Sequence, residues 1–264
     1  MSEARQPVVF VGAGPGDPDL ITVAGKKALE AADLVVYAGS LVSREMLSWC
    51  RPECETVDSA GLDLTAIIAH LARGWEAGLR VVRLHTGDPS LYGAIAEQIA
   101  ELDRRGIAWR VIPGVTAAFA AAAHLGLEYT LPELTQTLIL TRAAGRTPVP
   151  QAESLAALAA HGSSLAIYLS AAQAQAVSTA LQAAFGPEAP VALAYRVSWP
   201  DQKFVWTTAR DLPQALKDHD LSRQVLILAG PAVMARAQGE KAPASKLYDA
   251  HFSHGFRAGQ TEAD

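Results

Sequence analysis

Short apolar runs separated by helix-length segments recur through the first half of the chain, and that alternation limits the fold more than any other feature. Residues 8–11, 34–37, 79–84 and 109–112 read as strands, 79–84 as a buried one. Between them, residues 22–31, 41–49, 65–75 and 94–102 read as helices, and 56–59 as a short edge strand. Strands alternating with helices build a parallel, doubly wound sheet. Sheets of this kind take ligands at the carboxyl ends of their strands, where loops lead into crossover helices.

Two such loops carry glycine and proline in quantity. The first is Gly12-Ala-Gly-Pro-Gly-Asp-Pro18. It begins like a dinucleotide fingerprint, but Asp17 stands where a third glycine belongs, and Pro15 and Pro18 break the helical turn that would cup a pyrophosphate. The next run ends in Ala38-Gly39-Ser40, with no acidic residue for ribose hydroxyls. A nicotinamide enzyme is therefore disfavoured. The second loop lies in Arg83-Leu-His-Thr-Gly-Asp-Pro-Ser-Leu-Tyr-Gly93. Gly87 allows close backbone approach, Pro89 can open a helix, and Asp88 suits a helix start. An ordinary capping turn has the same features.

The second half mixes its directions. Thr116 caps an alanine-rich helix, 117–124, which Gly126 stops. Strands follow at 137–141, 163–170, 190–197, 203–208 and 223–229, with 203–208 a hairpin partner, and helices at 171–185 and 211–218. The loop 142–150 holds two arginines, Arg142 and Arg146, that no core requires. The expected division is an N-terminal α/β domain over 1–114, a mixed α/β domain over 115–233, and a flexible tail over 234–264. His251 and His254, in that tail, read as solvated side chains rather than a metal pair.

Half of the 264 residues are hydrophobic, enough for one large core or two smaller ones. A net charge of −5 and the lack of a basic stretch argue against a nucleic-acid partner. No window approaches the roughly 18 apolar residues of a membrane helix, and the opening residues lack an apolar leader. A cytoplasmic, soluble protein without a membrane partner is expected. Cys50 and Cys54 match neither a redox pair nor a zinc site and read as reduced thiols.

Taken together, the motifs resemble the tetrapyrrole methylase family. Its members open with Val-Gly-x-Gly-Pro-Gly-Asp-Pro, matched by Val11 to Pro18. They continue with Gly-Asp-Pro-x-x-Tyr/Phe-Gly, matched by Gly87 to Gly93, and with the junction Pro113-Gly-Val-Thr116. The likeness covers roughly residues 7–233. Tyr37-Ala-Gly-Ser-Leu-Val42, Asp58-Ser-Ala60, Gln136-Thr-Leu-Ile-Leu-Thr-Arg142, Gly145-Arg-Thr-Pro-Val-Pro150 and Tyr195-Arg-x-Ser-Trp-Pro-Asp201 are similar to the precorrin-4 C(11)-methyltransferases of cobalamin biosynthesis. The uroporphyrinogen-III methylases of the same family differ. They carry Asp where this chain has Ala38, and a Lys-Arg pair near Asp58-Ser59.

The resemblance implies two domains with a ligand cleft between them, the first sheet mostly parallel with helices on both faces, the second mixed. It implies S-adenosylmethionine as methyl donor, no metal, a polycarboxylate precorrin-4 as substrate, and a homodimer. Carried over by motif, the cofactor contacts fall on Pro15, Gly87, Asp88, Leu91, Thr116 and Ala117. In the second half they fall on Tyr168, Leu169, Ala194, Tyr195, Arg196 and Val197. Leu169 and Ala194 fit core packing equally well. Arginines grip carboxylates bidentately, which nominates Arg142, Arg146 and Arg196 for the substrate, with Tyr92 and Tyr129 at the ring edge. A solvated Arg146 is the plain alternative. No catalytic acid or base carries over; His85, Asp58 and Glu128 are the candidates for a base. Methylation of cobalt-precorrin-4 at the same carbon and non-catalytic binding of the donor or the ring are the rival functions. An RNA- or protein-modifying relative lacks support in the charge.

Overall fold

The computed structural model describes residues 5–239 and 245–258. Its strands form two five-stranded sheets, and the chain divides into two compact units. The first unit runs to Ala121 and adds Arg196–Gln202; the second holds Ala122–Tyr195 and the chain from Lys203 onward. The division thus falls inside the alanine-rich helix rather than at 114/115. The start of that helix belongs with the loops of the first sheet: Thr116 Cα lies 3.9 Å from where a Cβ on Gly87 would sit.

The first unit contains β1 (Val8–Gly12), α1 (Val23–Ala31), β2 (Leu34–Tyr37), β3 (Glu55–Asp58), α2 (Leu64–Glu76), β4 (Val81–His85), α3 (Ile95–Arg104) and β5 (Trp109–Ile112). The sheet order is β3-β2-β4-β1-β5, and every pairing is parallel. The inner strands β1, β2 and β4 are buried throughout and mostly apolar because both faces are covered, whereas the edge strands β3 and β5 are largely exposed. Val9, Val11, Val82 and Leu84 pack with Leu29 of α1. Val8, Phe10, Leu34 and Val36 pack on the other face, with Ile68 and Leu71 of α2 and Leu102 of α3. Side chains alternate between the faces as a strand requires. Losing a fully buried ring such as Phe10 would cost about 3–5 kcal/mol.

Two local expectations change. Of 41–49, only Arg44–Trp49 winds, as a 3-10 turn capped by Ser43. Leu41 and Val42 instead donate their N–H groups to Ala38 O and close a turn of their own. Helix α3 starts at Ile95 behind a left-handed Ala94 (φ 50°), without a side-chain cap. Asp88 is therefore not a helix cap, and Pro89 does not open the helix.

α4 (Ala117–Leu125) links to the second unit, which contains β6 (Leu138–Arg142), α5 (Leu155–Ala159), β7 (Ser164–Tyr168), α6 (Ala174–Phe185), β8 (Pro190–Tyr195), β9 (Lys203–Thr208), α7 (Leu212–Asp218), β10 (Val225–Ala229) and α8 (Pro231–Gln238). The order is β6-β7-β10-β8-β9; β6 and β7 are parallel and the remaining pairs antiparallel. One face buries Leu165, Ile167, Leu193 and Ile227 against α5, α6 and α7. Helix α8 packs across β8, β10 and β7. It replaces the start of the expected tail: Ala232, Val233 and Ala235 are buried, and the helix ends at Gly239 in a left-handed cap. Eight residues long, with three alanines, it offers no clear apolar period. Among the described residues no helix is long and apolar enough to cross a membrane. Part of the expected tail, 240–244 and 259–264, lies outside the described residues.

Candidate functional site

The strand order makes one crevice in the first sheet. From β1 the chain crosses β4 through α1 to reach β2; from β4 it crosses β1 through α3 to reach β5. The two connections leave neighbouring strands in opposite directions, on opposite faces. Their carboxyl ends form a topological switch point, the place where open parallel sheets bind ligands.

The loops at this point are joined through their backbones. Gly87 N donates to Gly14 O at 2.8 Å, Gly14 N to Gly87 O at 3.2 Å, and Ala13 N to His85 O at 2.7 Å. Gly12, Gly87 and Gly114, at the ends of β1, β4 and β5, meet closely. A Cβ on Gly114 would lie 2.1 Å from Gly87 O, and one on Gly12 would lie 2.6 Å from both Gly114 Cα and Gly87 O. Only residues without side chains allow that approach. Asp88 fixes the third loop: its carboxylate accepts from Ser90 N at 2.8 Å and from Gly114 N at 2.9 Å. Burial works against the charged form, but these bonds and the Ser90 hydroxyl hold the carboxyl below its usual range. Pro15 and Thr116 are buried, Leu91 and Ala117 half-buried. Pro15, Gly87, Asp88, Leu91 and Thr116, nominated from sequence for a cofactor, therefore lie on loops at this switch point, and Ala117 is the first residue of α4.

Behind the loops sits a buried cation that sequence reasoning quoted but gave no role. Arg83, 5% exposed, donates from Nε to Gln98 Oε1 (3.0 Å) and from Nη1 to Val36 O (3.2 Å) and Ser59 Oγ (3.0 Å). These partners tie the ends of β2, β3 and β4 to α3. Burial without a carboxylate among these partners lowers its pKa to about 10. The available signal was an arginine inside a mostly apolar strand.

The candidate bases fare differently. His85 is 4% exposed, stacks on Phe10 at 5.9 Å, and its Nε2 finds no hydrogen-bond partner among the described residues. Burial, then the charge of Arg83, lowers its pKa to about 3. Asp58 Oδ1 accepts from Gly39 N and Ala60 N and so organises the loops after β2 and β3. Glu128 is exposed.

The segment Arg196–Gln202 rests on the first loop. Trp199 Nε1 donates to Pro15 O at 3.0 Å, and Asp17 N donates to Ser198 Oγ at 2.9 Å. The Arg196 guanidinium stacks on the Trp199 ring at 4.1 Å. Its Nε lies 2.9 Å from Asp201 Oδ1, an ion pair by distance whose N–H does not point along the contact. Arg196 and Ser198 have φ of 43° and 65°. Val197 is buried.

In the second unit, Leu169 follows β7 with φ 54° and stands 67% exposed. A large apolar side chain held out in a left-handed conformation has the mark of a functional position. Ala194 is fully buried in β8, as core packing requires; Tyr168 and Tyr195 are half-buried. Tyr129 is buried, which raises its pKa, with Tyr168 contributing. Arg142 donates to Ala143 O, Thr147 O and Pro148 O and holds its own loop together, whereas Arg146 is exposed on it. Tyr92, in the first unit, is exposed with φ 56°.

Residues 7–213 match the family described as Tetrapyrrole (Corrin/Porphyrin) Methylases. A cobalt-precorrin-4 C(11)-methyltransferase of Priestia megaterium is 46% identical over 95% of this chain and 97% of its own. A precorrin-4 C(11)-methyltransferase of Pseudomonas aeruginosa is 45% identical over 96% of this chain and 99% of its own. Among solved structures, a cobalamin biosynthetic enzyme, cobalt precorrin-4 methyltransferase, superposes with a TM-score of 0.83 at 45% identity, covering 86% of this chain and 95% of its own. A uroporphyrin-III C-methyltransferase of Thermus thermophilus, complexed with S-adenosylhomocysteine, gives 0.71 at 25% identity, covering 86% and 93%.

Proposed function

The chain belongs to the tetrapyrrole (corrin/porphyrin) methylase family, and from that membership we propose that it transfers a methyl group from S-adenosylmethionine to carbon 11 of precorrin-4, giving precorrin-5 in cobalamin biosynthesis. The observation that carries this reading is identity of 45–46%, along nearly the full length, with relatives named for that carbon. The complex of the Thermus thermophilus relative with S-adenosylhomocysteine supports the donor.

The first-unit loops suit such a donor. Gly87 has φ 59°, and among the described residues an added Cβ would meet Thr116 Cα alone, at 3.9 Å, so a flat group could approach the chain on that side. Asp88 keeps acceptor capacity beyond its bonds to Ser90 and Gly114, suited to an ammonium or to ribose hydroxyls. The same reading gives Pro15, Leu91, Thr116 and Ala117 to the donor, together with Tyr168, Leu169, Ala194, Tyr195, Arg196 and Val197. The donor supplies an activated methyl on a sulfonium whose leaving thioether needs no proton. The residues then have mainly to align the reactants and exclude water. His85, buried and neutral at physiological pH, is not proposed as a base. Arg142, Arg146 and Arg196, with Tyr92 and Tyr129, are proposed for the carboxylate-bearing ring. A cytoplasmic homodimer belongs to the same reading.

The test is incubation with S-adenosylmethionine and either metal-free or cobalt-containing precorrin-4, followed by mass spectrometry and NMR of the product. One added methyl at carbon 11 is expected. A second reading, with the cobalt ring as the physiological substrate, is favoured by the name of the Priestia megaterium relative, and the ratio of kcat/KM for the two rings decides it. Binding of donor and ring without product would refute the enzymatic assignment.

A further inference from the structure

Gly16 has no conformational need to be glycine. It is absent from the positions with positive φ, unlike Gly14 at 80°. What it lacks is room: an added Cβ would lie 2.3 Å from Trp199 Cδ1 and 2.5 Å from Trp199 Nε1. The glycine makes space for the indole. The indole in turn donates to Pro15 O at 3.0 Å, one residue back in the same loop. Next to it, Asp17 N donates to Ser198 Oγ, and Ser198 N donates to Gln202 Oε1 at 2.9 Å. Three consecutive loop residues, Pro15, Gly16 and Asp17, thus rest on one segment. That segment holds left-handed backbone at Arg196 and Ser198, both non-glycine residues. Such conformations are unfavourable and persist where the surroundings fix them. Here the fixing contacts are the stack of Arg196 on the indole and the bonds through Ser198.

We propose that Trp199 is a positioning residue for the methyl donor: it braces the first glycine-rich loop through Gly16 and Pro15, and holds the loop in its donor-binding shape. The proposal rests on the donor assignment made above. It gives the Trp-Pro-Asp segment a task separate from contact with substrate, and it explains a glycine that the turn itself does not require. Trp199 acts through Pro15, so its loss should weaken donor binding and leave the chemical step, once the donor is bound, nearly intact.

The experiment is a double-mutant cycle on the full chain, with binding of S-adenosylmethionine and S-adenosylhomocysteine measured by calorimetry and steady-state kinetics in parallel. Trp199→Phe keeps a ring under Arg196 but removes the donor to Pro15 O; Kd should rise about 3- to 10-fold, the range of one lost hydrogen bond. Gly16→Ala should raise Kd at least about 10-fold. Gly16→Ala combined with Trp199→Ala should bind within 2-fold of Trp199→Ala alone, because the ring that the added methyl would strike is gone. KM for the donor should follow Kd, and kcat at saturating donor should stay within about 3-fold. Multiplying single effects in the double variant, unchanged Kd in Trp199→Phe, or a fall confined to kcat would each overturn the proposal. Should the Trp199→Ala variants fail to fold by circular dichroism, Gly16→Ala and Trp199→Phe carry the test alone. If the wild type binds neither compound, the donor assignment itself fails. The bracing contact is then still read from the same cycle by urea unfolding, where independent effects of Gly16 and Trp199 would refute it.

Discussion

Gly114→Ala should be among the most damaging single-methyl additions in the first unit, and Gly87→Ala should be clearly milder. The reason lies in what each Cβ would meet. On Gly114 it would be 2.1 Å from Gly87 O and 2.8 Å from Gly12 Cα, all backbone, where an ordinary contact needs at least 3.4 Å. More than 1 Å must come from moving β1 or the β4 loop, and no flexible side chain can yield instead. Overpacking costs about 1–3 kcal/mol where side chains adjust; with backbone on both sides we expect about 3 kcal/mol or more. Gly87 presents the converse case. Its added Cβ meets nothing closer than 3.9 Å, but its φ is 59°. The cost is then conformational, about 1–2 kcal/mol for an L-residue in the left-handed region. The assay is urea unfolding followed by tryptophan fluorescence. Trp49, Trp75, Trp109 and Trp199 all belong to the first unit, and only Trp206 to the second, so the signal reports mainly the unit that is perturbed. A Gly114→Ala variant within about 1 kcal/mol of wild type, or less destabilised than Gly87→Ala, would refute the backbone-contact account.

Other consequences follow from single side chains. The folded-state pKa of His85, about 3, lies below its ordinary 6.5. Its contribution to stability is therefore complete above pH 6.5 and is lost as pH falls toward 3, at up to about 1.4 kcal/mol per pH unit; His85→Gln should flatten that slope between pH 6 and 4 in urea titrations, and an unchanged slope would count against the assignment. Arg142→Ala should raise KM for the tetrapyrrole by about 10-fold while donor Kd moves less than 2-fold, because one carboxylate partner and the loop it ties would be lost together; the reverse split would move Arg142 to the donor. Burial first, then the neighbouring Cys54 thiol, push the Cys50 pKa up to about 12. Its reaction with a disulfide reagent at pH 8 should run at least about 10-fold slower than that of free cysteine and recover in urea.

Most of the first sheet was legible because both faces are covered. Strands such as Val8–Gly12 and Leu34–Tyr37 have no exposed face and so no polar interruption. The hairpin of β8 and β9 could be read from the Trp-Pro-Asp turn between two strand-like runs. Elements without period or length escaped: α5 has five residues and α8 eight. The expected helix over 41–49 failed because the backbone of residues 38–42 closes its own turn, a contest that side-chain pattern does not report.

Site residues were legible to the extent that their chemistry is visible in the residue type. Gly87 and Asp88 announce close approach and charge, but the sequence could not say what Asp88 holds. It misplaces that carboxylate at a helix start, whereas the fold aims it across the crevice at Gly114 N, 26 positions away. Contacts of this kind depend on strand order, which brings the ends of β1, β4 and β5 side by side. The order also bears on mechanism. Both carboxylates on the joined loops already serve the backbone: Asp17 Oδ1 accepts from Asp19 N, and Asp88 from Ser90 N and Gly114 N. Asp88, its carboxyl held below the usual range by these bonds, is fixed in place, which suits binding and alignment better than proton exchange. A transfer whose leaving group departs as a neutral thioether asks for just that, and it accounts for a switch point built from glycines, prolines and backbone bonds, with no acid–base pair among the described residues at its centre.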